Sequence, residues 1–179
     1  MLDQDQALLV VVDVQGKLAQ LMADKEHLFD SLKTAIKGFQ LLEVPILWLE
    51  QVPDKLGPTI AEVAELLSGS QPIAKTSFGC MGSEEFRQEL ETSGRKQIVL
   101  AGIEAHICVY QSAIQLIEAG YEVTVLEDAV SSRTLDNCQI GLDRMAQAGV
   151  AISCVEMSLF ELQRVAEGEK FKALASLVK

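Results

Sequence analysis

The sequence predicts an α/β domain of three layers, α/β/α, built on a six-stranded, mainly parallel, Rossmann-like sheet in the strand order 3-2-1-4-5-6. Two observations carry this expectation. Short apolar runs of strand length alternate along the chain with longer stretches of helical spacing, and no internal repeat or low-complexity linker interrupts them. The first run, Ala7–Val12, is apolar at every position, which suits a strand covered on both faces. At 179 residues with 49% hydrophobic side chains, the chain is a single domain over residues 1–179 with material for a full core.

Taken in order, the first strand ends at Val12 and leaves Asp13 at its C-terminal end. Leu32, Ile36, Phe39 and Leu42 give residues 29–42 a helical period, and Pro45 marks the stop before a second strand at 46–49. Residues 50–59 contain Pro53, Gly57 and Pro58 and read as a loop of the kind that lines a pocket above a sheet, leading into a short helix at 60–67. The alternation asks for a third strand at 72–74, ending at Lys75. Ser83 is placed to cap a helix whose first turn carries Glu84 and Glu85 and which runs to Thr92, before Gly94. Residues 97–100 form the fourth strand, ended by Ala101 and Gly102, and Cys108 opens a helix that runs to Ala119, with Gly120 as its cap. A fifth strand at 121–126, a loop at 128–134, a helix at 135–148 closed by Gly149 and a sixth strand at 151–155 follow. Helices at 158–166 and 170–178 complete the chain.

Composition excludes several function classes. Fifteen basic against 26 acidic residues give a formal charge of -11 with no basic patch, so a nucleic-acid partner is not expected. His27 and His106 are the only histidines and stand far apart, without the spacing of a zinc or iron site, so neither a metal nor a cofactor is called for. Cys80, Cys108, Cys138 and Cys154 show no C-x-x-C spacing and read as reduced thiols of a cytoplasmic protein. Met1 to Gln6 is acidic and polar, and neither a signal peptide nor a membrane span is expected. Asp13 to Lys17, DVQGK, matches no phosphate-binding glycine motif and lacks the acidic pair of a phospho-receiver, and G-x-S-x-G is absent.

What remains is a cysteine where a strand becomes a helix. Free N–H groups and the positive end of a helix dipole favour a thiolate there. In open parallel sheets ligands bind beyond the C-terminal strand ends, where Asp13, Glu50, Lys75, Glu104 to Cys108 and Asp128 are expected on one rim. Cys108 as nucleophile, Asp13 as proton acceptor and Lys75 as the cation holding both would be a catalytic set, with the backbone N–H groups of Glu104 and Cys108 as oxyanion donors. Gln15, Trp48, Phe78 and Tyr110, each near a strand end, are the expected pocket walls around a small-molecule substrate. The residues alone leave other readings open: a buried inert thiol, a solvated turn aspartate and a surface lysine.

Four stretches, LLVVVDVQ (8–15), KTSFGCM (75–81), GIEAHICV (102–109) and LEDAVSSR (126–133), in this order and spacing, resemble the isochorismatase-like cysteine hydrolases, a group that includes nicotinamidases and N-carbamoylsarcosine amidohydrolase. The resemblance runs almost end to end. It implies an Asp-Lys-Cys triad at Asp13, Lys75 and Cys108, a cis peptide at Ile103–Glu104, and a homo-oligomer. Residues 50–58, EQVPDKLGP, lack the histidines of metal-binding nicotinamidases, which points to the metal-free branch. The expected activity is hydrolysis of an amide or related C–N bond through an acyl-enzyme. The alternatives are an isochorismate-type vinyl ether hydrolase using Asp13 as acid and, outside enzymes, a small-molecule-binding or thiol redox-sensing module.

Overall fold

The computed structural model describes residues 1–179. Its strands are β1 (Ala7–Val12), β2 (Ile46–Gln51), β3 (Ile73–Lys75), β4 (Gln97–Ile103), β5 (Glu122–Ser131) and β6 (Ala151–Ser153). They form one sheet in the order β3-β2-β1-β4-β5-β6, every neighbouring pair parallel, as the sequence predicts. The helices are α1 (Gly16–Gln20), α2 (Lys25–Leu41), α3 (Pro53–Leu56), α4 (Ala61–Ala64), α5 (Glu84–Ser93), α6 (Tyr110–Glu118), α7 (Leu135–Gln147), α8 (Val155–Gln163) and α9 (Gly168–Leu177).

Strand pleating sorts the core into two layers. Leu9 and Val11 of β1 point to one face, where they join Leu32, Ile36 and Phe39 of α2 and residues of α8 and α9. Leu8, Val10 and Val12 point to the other, against α5, α6 and α7. Each fully buried leucine, isoleucine or phenylalanine contributes about 1.5–3 kcal/mol by leaving water, so the all-apolar β1 anchors both layers. Ser83 caps α5 by accepting from the Phe86 N–H, and Gly94 ends it in the left-handed region at φ 67°.

Several elements and boundaries differ from expectation, and the following have a local reason. α1 and α3 are single turns, too short for a 3.6-residue period to show, and Pro53 starts α3 where its missing N–H costs nothing. β4 does not stop at Ala101 and Gly102 but continues to Ile103. Gly102 is there because of a close approach: at φ +115° a Cβ would fall 2.1 Å from the Val12 carbonyl oxygen. β5 runs to Ser131 through a stretch read as loop, because a register shift between Leu100 and Gly102 lets Val130 and Ser131 pair with Gly102 and Ile103. Finally, β6 ends at Ser153, and the Asp128 carboxylate accepts from the Val155 N–H, so α8 starts three residues earlier than expected.

Cys108 is also placed differently. The first turn after β4 is π-helical, Ala105–Val109, and α6 begins only at Tyr110. The Val109 N–H reaches back to the Glu104 carbonyl at 3.2 Å, the wide i→i+5 closure of a π-turn.

Candidate functional site

Strand order brings the three expected side chains together. The strand order reverses between β1 and β4, the crevice where doubly wound sheets bind ligands, and both the residue after β1 and the turn after β4 lie at it. Asp13 leaves β1 in the left-handed region, φ 51°, a conformation that aspartate tolerates better than most residues. Lys75 ends β3, two strand spacings or about 10 Å from β1, a gap that lysine and aspartate side chains span between them. Its Nζ donates to Asp13 Oδ2 at 2.7 Å, to Gln51 Oε1 at 2.7 Å, and to the carbonyls of Ser77 at 3.1 Å and Phe78 at 3.0 Å.

The site is nearly closed. Asp13, Lys75 and Cys108 are 2%, 4% and 8% exposed, Cys108 being the most open of the three. Asp13 Oδ1 is buried and accepts no hydrogen bond, while the Cys108 thiol faces the same carboxylate. Burial pushes the Asp13 carboxyl up, and the Lys75 ammonium beside it offsets only part of that. The Cys108 thiol is pushed up to about 12, first by burial and then by the Asp13 charge; Lys75 and the Glu104 N–H, which donates towards the sulfur, pull the other way. This reverses the expectation that a helix start would favour the thiolate. Cys108 sits in a π-turn ahead of α6, and loss of water together with a neighbouring carboxylate outweighs the backbone donors.

The turn between β4 and α6 is tied down on several sides. The Ile103–Glu104 peptide bond is cis. The Glu104 carbonyl accepts from the N–H groups of Ile107 and Val109, and its carboxylate accepts from the backbone N–H and Nε of Arg133, both at 3.1 Å. His106 contacts Ser132 Oγ through Nδ1 at 2.8 Å.

The expected pocket walls divide. Phe78 is 53% exposed and lies beside the site, since its own carbonyl holds Lys75. Trp48 is not a wall: it alternates with Leu49 onto the α2 side of the sheet, away from the layer holding Cys108, and its Nε1 donates to Ser70 Oγ. Gln15 turns inward, donating to the carbonyls of Gln51 and Gly57 and accepting from the Gln51 N–H, so its amide fastens the segment after β2. Tyr110 faces α7, its hydroxyl accepting from Arg144 and its ring 5.8 Å from that guanidinium. Glu50, also on the expected rim, is occupied by the backbone and hydroxyl of Thr59.

Gln51 is the neighbour that sequence reasoning missed. It accepts from Lys75 and donates to the Thr76 carbonyl, and the one available signal was its register opposite Lys75 at the end of β2. No group of three or more His, Cys, Asp or Glu side chains is arranged to hold a metal ion. No helix is long and apolar enough to cross a membrane.

Comparison with known proteins sets this geometry in a family. The isochorismatase domain model matches residues 7–157. A secreted isochorismatase effector, Isc1, of Phytophthora sojae is 33% identical over 178 residues, covering 97% of this chain and 84% of the relative. Isochorismatase domain-containing protein 2 of Danio rerio is 32% identical, covering 96% and 86%. Among solved structures, one described as the MAR1 ribonuclease of Caenorhabditis elegans is 30% identical with a TM-score of 0.91, over 99% of this chain and 91% of that one. The YcaC product of Escherichia coli, described as an octameric hydrolase of unknown specificity, shares the fold at a TM-score of 0.92 and 24% identity, over 98% and 89%. Matched over most of its length by the domain model and by relatives above 30% identity, this chain belongs to the isochorismatase family.

Proposed function

We propose that the chain is a small-molecule hydrolase in which Cys108 attacks the carbonyl carbon of an amide or related C–N bond. The observation that carries the reading is the Asp13 carboxylate. One oxygen is fixed by Lys75, the other is buried and accepts no hydrogen bond, and the thiol is a neighbour of the carboxylate. A resting thiol at about 12 is not a nucleophile by itself, so its proton must leave as the S–C bond forms, and the free Asp13 oxygen is the base in reach. The N–H groups of Glu104 and Cys108 hold the developing oxyanion. As the C–N bond breaks, protonated Asp13 gives the proton to the departing amine. Water then attacks the thioester, Asp13 takes its proton, and the sulfur leaves with it as a thiol.

Other readings are less well supported. A redox-sensing thiol needs thiolate character, and burial beside Asp13 works against it at Cys108. The ribonuclease description of the C. elegans neighbour suits this chain poorly, because a charge of -11 repels a phosphate backbone. A vinyl ether hydrolase remains the second reading, favoured by the upward shift of Asp13, which lets that carboxyl hold the proton such a reaction requires. Four unpaired thiols suit a reducing, cytoplasmic setting, although the Phytophthora relative is a secreted protein. Exposed Phe78 and the octameric neighbour favour a homo-oligomer.

The test is incubation with small amides followed by intact mass. An acyl adduct present in the wild type and absent in Cys108→Ala supports the main reading. Vinyl ether turnover that survives Cys108→Ala transfers the function to Asp13 alone.

A further inference from the structure

The ion pair between Glu104 and Arg133 lies outside the triad, yet it grips the residue whose N–H points at the sulfur. Glu104 is held at two points: its carbonyl accepts from Ile107 and Val109, and one carboxylate oxygen, Oε2, accepts from two donors of Arg133. The Glu104 side chain is 6% exposed, whereas Arg133 is 53% exposed, so a surface residue after β5 reaches in to fix a buried one. The opposite flank of the turn rests on α7 without slack. A Cβ on Gly141 would fall 2.8 Å from His106 Cα, 2.9 Å from His106 N and 3.0 Å from Ala105 C, all backbone atoms that cannot step aside.

We infer that Arg133 is a positioning residue for the reaction: through the Glu104 carboxylate it sets the direction of the Glu104 N–H, and so the strength of the oxyanion site. The turn is wedged between α7 and the end of β5. Removing the guanidinium leaves the Glu104 carboxylate only the backbone N–H at position 133, and the loosened carboxylate then shifts towards water, carrying its own backbone with it. This inference rests on the thiol-hydrolase reading, and it predicts a loss specific to steps that build negative charge on an oxygen.

Two reactions of the same sulfur separate that loss from general damage. Acetylation by p-nitrophenyl acetate forms the S–C bond through a tetrahedral oxyanion and expels p-nitrophenolate. Alkylation by iodoacetamide displaces iodide at a saturated carbon and builds no such oxyanion. Arg133→Ala is expected to slow acetylation of Cys108 by about 10- to 100-fold while alkylation changes by less than about 2-fold. Arg133→Lys, which keeps the charge but not the planar donor, should fall between the two. Equal loss in both reactions, or loss in neither, overturns the role of Arg133 and leaves the hydrolase reading standing. A wild-type protein that alkylates at Cys108 but never acetylates there overturns the hydrolase reading and this inference with it.

Discussion

Cys80 and Cys108 both lie in the core layer between the sheet and α5–α7, and burial pushes both thiols up to about 12. Their neighbours differ. Cys80 is fully buried; its backbone N–H donates to Ser112 Oγ, and the Ser112 hydroxyl, Lys75 and the N–H groups of Cys80 and Met81 ease its thiol downward. Cys108 keeps a small opening, faces the free oxygen of Asp13 and receives the Glu104 N–H. The pair teaches that the resting proton affinity of a thiol does not mark it as a nucleophile here. Under the proposed mechanism, what separates the two is the carboxylate base beside Cys108.

The largest expected effect follows directly. Cys108→Ala should remove the acyl adduct and reduce turnover by at least about 10³-fold, whereas Cys80→Ala stays within about 2-fold of the wild type. Intact mass and initial rates read both, and a Cys80→Ala protein as inactive as Cys108→Ala breaks the comparison.

Asp13→Asn sharpens it. Without the carboxylate charge, one of the influences that raise the Cys108 thiol is gone while Lys75 and the Glu104 N–H still lower it. The pH profile of iodoacetamide alkylation at Cys108 should therefore move to lower pH, with Cys80 unmoved, as amide turnover drops by about 10²- to 10⁴-fold for want of a proton carrier. Peptide-resolved alkylation across pH checks this. A Cys108 profile that moves upward contradicts the assignment of Asp13 as its electrostatic partner.

What the two thiols share should appear as stability. Below pH 9.0, the ordinary thiol value, both are protonated folded and unfolded and cost nothing. Between there and about 12 the unfolded chain releases these protons while the folded chain retains them. The unfolded state then binds fewer protons, and stability falls by about 1.4 kcal/mol per pH unit for each thiol. Urea midpoints from pH 8.5 upward, on the order of two units apart, should decline less steeply in Cys80→Ala and in Cys108→Ala. Identical slopes in all three proteins would falsify the shared burial. The smallest effect on the chemistry is expected from Ser112→Ala, which orphans the Cys80 N–H and costs about 1–3 kcal/mol of stability without changing Cys108 alkylation.

Much of this was legible in the sequence because it is written in strand ends. Asp13 follows an unbroken apolar run, and Lys75 and Cys108 fall where the alternation of elements needs a rim. Trp48 was misread as pocket although the pleat carries the information: on β2 it faces away from Leu49, and Leu49 lies on the thiol's side. Gly102 looked like a strand end, since a glycine demanded by a neighbouring backbone cannot be told from one that marks a turn until Val12 is seen beside it. The thiol's direction of shift was misjudged for a related reason. Helix dipoles can be inferred from local sequence, whereas desolvation and the approach of Asp13, 95 residues away along the numbering and adjacent in space, depend on the whole fold.

Lys75 carries a last consequence. An ammonium has three hydrogens, and here four oxygens compete for them. A group so oversubscribed is held in one position, and it holds the Asp13 oxygen it touches in place with it. Under the proposed mechanism all proton traffic then runs through a single carboxyl oxygen, which must be empty before the thiol can load it and full before the amine can depart. The first product has to leave, and Asp13 has to reset, before water is admitted. The lysine serves that order by occupying the other Asp13 oxygen, which leaves one place for the proton to land.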